Sequence, residues 1–184
     1  MGPVWQRTPG TGRYAQPECE RRFLLSSTPG GLADPLEIED RYIEGTRLRL
    51  RRMSDGSGAV TYKLTQKIPD ESDPALGFIT NTYLSEKEYT ALLVLPGLVV
   101  RKTRHRIPAS PHVSVDAFHG ALEGLVLAEL APDEVDPVSS LVLGGVAATD
   151  VTHDPRFTGG ELARTGAEAM RRLLADVRGG TDDA

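Results

Sequence analysis

The chain has 184 residues, 39% of them hydrophobic and 26% charged, which suits one globular domain built on one core. Its formal net charge of −5 excludes general attraction to nucleic acid or to an anionic membrane, both of which need a basic surface field, so any bound anion must be held locally. The single cysteine excludes an internal disulfide and the cysteine-cluster zinc frameworks, and it fits a reducing compartment.

Residues 1–17, MGPVWQRTPGTGRYAQP, are rich in Gly, Pro, Thr and Gln and read as a flexible N-terminal arm that Trp5 or Tyr14 can dock. They contain no apolar run of the kind a signal peptide or membrane anchor needs, so the expectation is a cytoplasmic protein. A single domain is expected over 18–178, followed by a frayed tail at 179–184.

β-type runs recur between turn signals at 18–25, 36–43, 46–52, 59–67, 77–84, 98–107, 112–118 and 124–130. About eight such strands are enough to close a barrel or to form a sandwich. Two helices interrupt them. In SEKEYTALLVLPG, Ser85 and Glu88 form a capping box, Tyr89, Leu92 and Leu93 share a face, and Pro96 and Gly97 stop the helix. That helix is expected to pack against the outside of the sheet. The second, over 161–177, places Leu162, Met170, Leu173, Leu174 and Val177 on one stripe, with Arg164, Arg171 and Arg172 mostly off it. The stretch 135–150 fits neither pattern.

Several strands carry one apolar and one charged face. In ECERRFLL, alternation puts Glu18, Glu20 and Arg22 together and turns Cys19 the other way, as a small core residue. Arg47, Arg49 and Arg51 alternate with Leu48 and Leu50. Lys63, Thr65 and Lys67 alternate with Tyr62 and Leu64, and Lys102, Arg104 and Arg106 share a face. Asp116 and Glu129 follow on later strands. For one strand alone, a solvated outer face is the ordinary explanation. Repetition favours another: if the strands close with their apolar faces outward under the helices, the charged faces converge inside. Arg22, Arg47, Arg49, Lys63, Lys67, Lys102, Arg104 and Arg106 then outnumber Glu18, Glu20, Asp116 and Glu129. Enclosed unpaired cations call for a polyanion, and the arginine fork suits phosphate. The carboxylates suit a hard divalent cation, Mg²⁺ or Mn²⁺, that also takes phosphate oxygens.

The ordered set Glu18-x-Glu20-x-Arg22-FLL, Arg47-x-Arg49, Leu-Thr-x-Lys ending at Lys67, KTRHRIP from Lys102, and VDAFHGALEGLVLAEL from Val115 resembles the CYTH superfamily over about residues 18–165. Its members are the triphosphate tunnel metalloenzymes: tripolyphosphatases, thiamine triphosphatases, class IV adenylate cyclases and RNA triphosphatases. The resemblance implies an α+β fold, a closed eight-stranded antiparallel β-barrel with helices packed outside, whose tunnel binds a triphosphate. It implies that Glu18 and Glu20 are the catalytic metal-binding pair and that Arg22 stands where a lysine is usual. Arg47, Arg49, Lys67, Lys102 and Arg104 fall on phosphate-gripping positions, and Asp116 and Glu129 on late acidic ones. The chain departs from the pattern where many members carry a second Glu-x-Glu: here FITNTYL places Thr80, Asn81 and Thr82, and Ala131 replaces a late acid.

The expected activity is metal-dependent hydrolysis of a small-molecule triphosphate or polyphosphate. The alternatives are a binding module without turnover and adenylate cyclase-type chemistry. An RNA-binding barrel is disfavoured, because 5% aromatic residues leave few stacking platforms. His105 and His119 lack metal-ligand spacing with each other and read as surface or structural residues.

Overall fold

The computed structural model describes residues 8–73, 75–108, 110–130, 141–143 and 145–179. The strands are β1 (Gln16–Cys19), β2 (Arg21–Leu25), β3 (Ala33–Ile43), β4 (Leu48–Asp55), β5 (Val60–Pro69), β6 (Leu76–Leu84), β7 (Gly97–Ile107), β8 (Ser110–Phe118), β9 (Val126–Leu130), β10 (Leu141–Leu143) and β11 (Val146–Asp150). All pair antiparallel in the order β1-β6-β5-β4-β3-β7-β8-β9-β2-β11-β10.

The sheet therefore has eleven strands where the sequence suggested eight. One difference arises at Glu20, which splits the 18–25 run: its N–H donates to Ala75 O at 2.9 Å, while β1 pairs with β6 and β2 with β9. The other is the β10–β11 hairpin, turned at Gly145 with φ of 82°, which adds to the edge of β2. It accounts for part of the stretch left unassigned above. Gln16 and Pro17 belong to β1 rather than to an arm. Trp5, residues 135–140 and the tail 180–184 lie outside the described residues.

Helix α1 (Glu86–Leu92) begins at Ser85 with the expected capping box. It buries Tyr89, whose ring centroid lies 4.5 Å from that of Tyr62. Tyr62 alternates with Lys63, so α1 packs on the face of β5 turned away from the charged row. The expected helix over 161–177 is instead two, α2 (Gly159–Leu162) and α3 (Ala167–Gly179). Thr165 donates its hydroxyl to Glu161 O at 2.9 Å, a side-chain bond that competes with helix continuation, and Gly166 is a poor helix former.

Two apolar clusters flank β2, β8 and β9. Leu24, Phe118, Leu125 and Leu127 meet Phe157, Leu162, Met170, Leu173 and Leu174 on one side; Phe23, Leu25, Val115, Val126 and Ala128 form the other. β2 and β9 are buried on both faces, which explains the continuous apolar runs Phe23–Leu25 and Val126–Ala128. Cys19 is half-buried opposite Leu76 rather than a core residue. Among the described residues no helix is long and apolar enough to cross a membrane.

Candidate functional site

Directly opposed residues of an antiparallel ladder share a face, so the register decides which charges meet. Tyr42, Arg49, Thr65 and Asn81 oppose one another in turn across β3, β4, β5 and β6; Asp40, Arg51, Lys63 and Tyr83 form the next row. Arg104 opposes Asp116, and Arg22 opposes Glu129. The charged faces converge on a cavity of about 490 Å³, lined by Glu18, Glu20, Arg22, Arg47, Arg49, Lys67, Lys102 and Glu129 among the expected residues. That volume falls within the roughly 300–1,000 Å³ of small-ligand sites. Lys63, Arg104, Arg106 and Asp116 do not line it.

The deepest charges are paired with one another. Asp116 is fully buried, receives Nζ of Lys102 on Oδ2, and accepts two 2.7 Å hydrogen bonds from Arg104. Arg104 also donates to Glu129. Burial alone would raise the carboxyl of Glu129, but the Arg104 and Lys102 charges hold it well below the usual carboxylate range. Burial would likewise lower Arg104, yet Glu129 and Asp116 hold it above the ordinary guanidinium value. Asp116 and Glu129, expected as metal ligands, are ion-paired to Lys102 and Arg104.

Sequence reasoning missed Asp40. Its carboxylate is buried and accepts two 2.6 Å hydrogen bonds from Arg51, with Arg49 Nε 3.5 Å from Oδ1. Against the upward push of burial, Arg49 and Arg51 lower it to about 2. The signal was the row Leu36, Ile38, Asp40, Tyr42: one acid on an otherwise apolar strand face has to be paired. The interior is therefore not uniformly basic. Cavity-lining Asp40 and Glu161 join Glu18, Glu20 and Glu129 against Arg22, Arg47, Arg49, Lys67 and Lys102.

Two cations of the wall keep unused capacity. Arg49 Nε is buried without a hydrogen-bond partner, 3.5 Å from an Asp40 carboxylate that Arg51 holds by two hydrogen bonds. Arg47, exposed just before β4, makes no ion pair among the described residues. Among the partly exposed side chains, Lys67 Nζ lies 2.8 Å from Glu18 Oε1 and 3.5 Å from Glu20 Oε2, and Arg22 lies 3.2 Å from Glu20. Lys63, on the same strand face, rests its ammonium over the Tyr83 ring at 5.8 Å. Arg106 is exposed.

The register also orients FITNTYL. Thr65 donates its hydroxyl to Asn81 Oδ1 at 2.7 Å, so Asn81 and Tyr83 share the face of Lys63 and Thr65, while Thr80 and Thr82 turn away. His119 Nε2 sits 2.7 Å from Thr103 Oγ1, on the residues that alternate with Lys102 and Arg104, and so belongs to the other face.

No protein-family model matches the sequence, and no curated protein matches it. Among solved structures, the crystal structure of the inorganic triphosphatase NE1496 superposes with a TM-score of 0.51 at 22% identity, covering 79% of this chain and 97% of that one. The fold is CYTH-like. The PH1819 protein from Pyrococcus horikoshii OT3 is also similar, with a TM-score of 0.45 at 16% identity, over 86% of this chain and 89% of that one.

Within this CYTH-like frame, Glu18 and Glu20 are two hard-oxygen side chains on one cavity wall. That set fits Mg²⁺ or Mn²⁺, since such ions are commonly held by one or two carboxylates with phosphate oxygens and water completing the shell. Among the described residues no group of three or more His, Cys, Asp or Glu is placed to hold a metal ion.

Proposed function

We propose that the chain is a metal-dependent triphosphatase that binds a small-molecule triphosphate or polyphosphate in this cavity and hydrolyses its terminal phosphoanhydride. Arg49 carries the reading. Its guanidinium lines the cavity and lies beside Asp40, a carboxylate that Arg51 already holds by two hydrogen bonds, so the Arg49 charge is left to meet a phosphate oxygen. The likeness in fold to an inorganic triphosphatase supports it.

The reading includes a sheet closed round the cavity. One residue separates β1, paired to β6, from β2, paired to β9, so the run of strands from β6 to β9 begins and ends on one stretch of chain. Arg22, Arg47, Arg49 and Lys67 would neutralise and straighten the phosphate chain, with Lys102 and Arg104 held in place by their ion pairs to Asp116 and Glu129. Glu18 and Glu20 would hold the Mg²⁺ or Mn²⁺, which supplies Lewis-acid polarisation of the terminal phosphoryl group. Water oxygen would bond to the terminal phosphorus as the bridging P–O bond breaks; its proton would pass to a phosphate oxygen or to solvent, and the bond pair would leave with the bridging oxygen, whose charge Arg22, Arg47 and Arg49 would stabilise.

The test is phosphate release from tripolyphosphate, ATP, thiamine triphosphate and long polyphosphate, each with Mg²⁺, Mn²⁺ or chelator. Metal-dependent release from at least one substrate is expected. Binding without release under every condition would favour a non-catalytic binding module, to which the commitment of Asp116 and Glu129 to ion pairs also points. Cyclic nucleotide from ATP would indicate cyclase chemistry.

A further inference from the structure

The ion pairs of the interior fall into two kinds. Asp40, Asp116 and Lys102 are at most 7% exposed in their side chains, whereas Arg22, Glu20, Glu18 and Lys67 are 14%, 22%, 26% and 35% exposed and line the cavity. A buried pair cannot exchange partners without leaving a charge desolvated; a half-exposed pair exchanges readily. In the exchangeable group one ammonium serves two acids: Lys67 Nζ contacts both Glu18 and Glu20, with Arg22 as a second partner of Glu20. Lys67 thus holds the position between the two carboxylates that a divalent cation would need.

We propose that Lys67, assisted by Arg22, is a latch that keeps Glu18 and Glu20 closed to metal until a polyanion draws it away. The proposal rests on the reading of Glu18 and Glu20 as metal ligands. A phosphate oxygen is a strong charge-assisted acceptor for an ammonium or guanidinium, so an entering phosphate chain competes with the carboxylates for Lys67 and Arg22. The released carboxylates then face a site that has lost its internal cation. Metal and polyphosphate binding are coupled through the protein, in addition to any contact between them, and the coupling is reciprocal. The free protein avoids holding a bare divalent ion, and the site assembles when substrate is present.

The experiment measures Mn²⁺ uptake without any phosphate, by the loss of the free-ion electron paramagnetic resonance signal, for the natural chain, Lys67→Gln and Arg47→Gln. Arg47 lines the same cavity but pairs with neither acid, so its removal deletes a charge without opening the latch. Lys67→Gln is expected to bind Mn²⁺ about tenfold more tightly than the natural chain, within the usual range for coupled sites, and Arg47→Gln to change little. Equal gains in both variants would reduce the effect to through-space charge and overturn the latch. Mn²⁺ uptake by Lys67→Gln no better than that of the natural chain would overturn it too, leaving the metal assignment standing. No uptake by Lys67→Gln, in a protein shown by separate titration to bind tripolyphosphate, would overturn the metal assignment and the latch together.

A second arm avoids Lys67 altogether. In chelator, isothermal titration with tripolyphosphate should show tighter binding by the Glu18→Gln, Glu20→Gln variant, because the acids no longer compete for Lys67 and Arg22. Glu161→Gln, another cavity acid but one paired with Arg164, should match the natural chain. Equal affinity in all three proteins would overturn the latch.

Discussion

Asp40 and Arg51 meet across the β3–β4 ladder through two 2.6 Å hydrogen bonds, Nε to Oδ1 and Nη2 to Oδ2, with both side chains almost wholly buried. Removing one partner leaves the other as an uncompensated buried charge, so Asp40→Asn is expected to lose about 3–5 kcal/mol in denaturant unfolding. The pair also sets an acid limit. Asp40 is lowered from 3.8 to about 2, so its contribution is fully present above about pH 4 and is lost as pH falls towards 2. That contribution is of order 2 kcal/mol. The unfolding free energy of Asp40→Asn should show a flatter slope across this window.

Arg49 and Arg104 should respond differently to truncation. Arg49→Ala leaves Asp40 bonded twice by Arg51, so the ligand-free protein should hold its stability within about 1 kcal/mol. Its affinity for tripolyphosphate should fall about 10- to 100-fold, the usual worth of a hydrogen bond to a charged group. Arg104→Ala strips Glu129 of its guanidinium and leaves Asp116 with Lys102 alone, which should cost about 3 kcal/mol of stability. Thermal melts with and without tripolyphosphate separate the two. A ligand-induced shift unchanged in Arg49→Ala would count against the phosphate role of that residue.

A third expectation concerns the start of α2, which lines the cavity. A Cβ on Gly159 would lie 2.0 Å from Tyr42 Oη and 2.8 Å from Tyr42 Cζ, so the ring can stay only while position 159 has no side chain. Gly159→Ala should cost about 1–3 kcal/mol, as overpacked sites do. Tyr42→Leu should remove most of that cost, giving a double-mutant cycle far from additive. Additive losses would mean that the backbone moves aside instead.

The strands were legible because one apolar and one charged face alternate along them, and most boundaries agree within a few residues. What pairs with what was not legible. Arg104 reaches Asp116 only through the β7–β8 register, which shifts at Arg106 and Ile107, and no spacing rule predicts that shift. FITNTYL was ambiguous because Thr80, Asn81 and Thr82 are all polar, so alternation carries no sign there; the Thr65–Asn81 bond decides it. Asp40 was visible in principle. A lone acid between Ile38 and Tyr42 has no alternating charged row to mark it, although that acid changes how much free positive charge the interior keeps.

Lys63 gives a test at the alkaline end. Partial burial, then the neighbouring Arg51 and Arg49 charges, lowers its ammonium from 10.5 to about 8. The unfolded chain therefore binds more protons than the folded one between about pH 8 and 10.5, and stability from this group rises with pH across that window. Below pH 8 the penalty of holding a charged Lys63 is constant. Lys63→Met should accordingly raise the melting temperature at pH 7 and flatten the rise between pH 8 and 10. Added tripolyphosphate supplies the missing counter-charge, so a phosphate chain that reaches Lys63 should favour its protonated form. The Tm shift induced by tripolyphosphate should then shrink between pH 7 and pH 9.5 in the natural chain more than in Lys63→Met. Parallel pH profiles in the two proteins would place Lys63 out of reach of the bound anion, consistent with its position off the cavity wall.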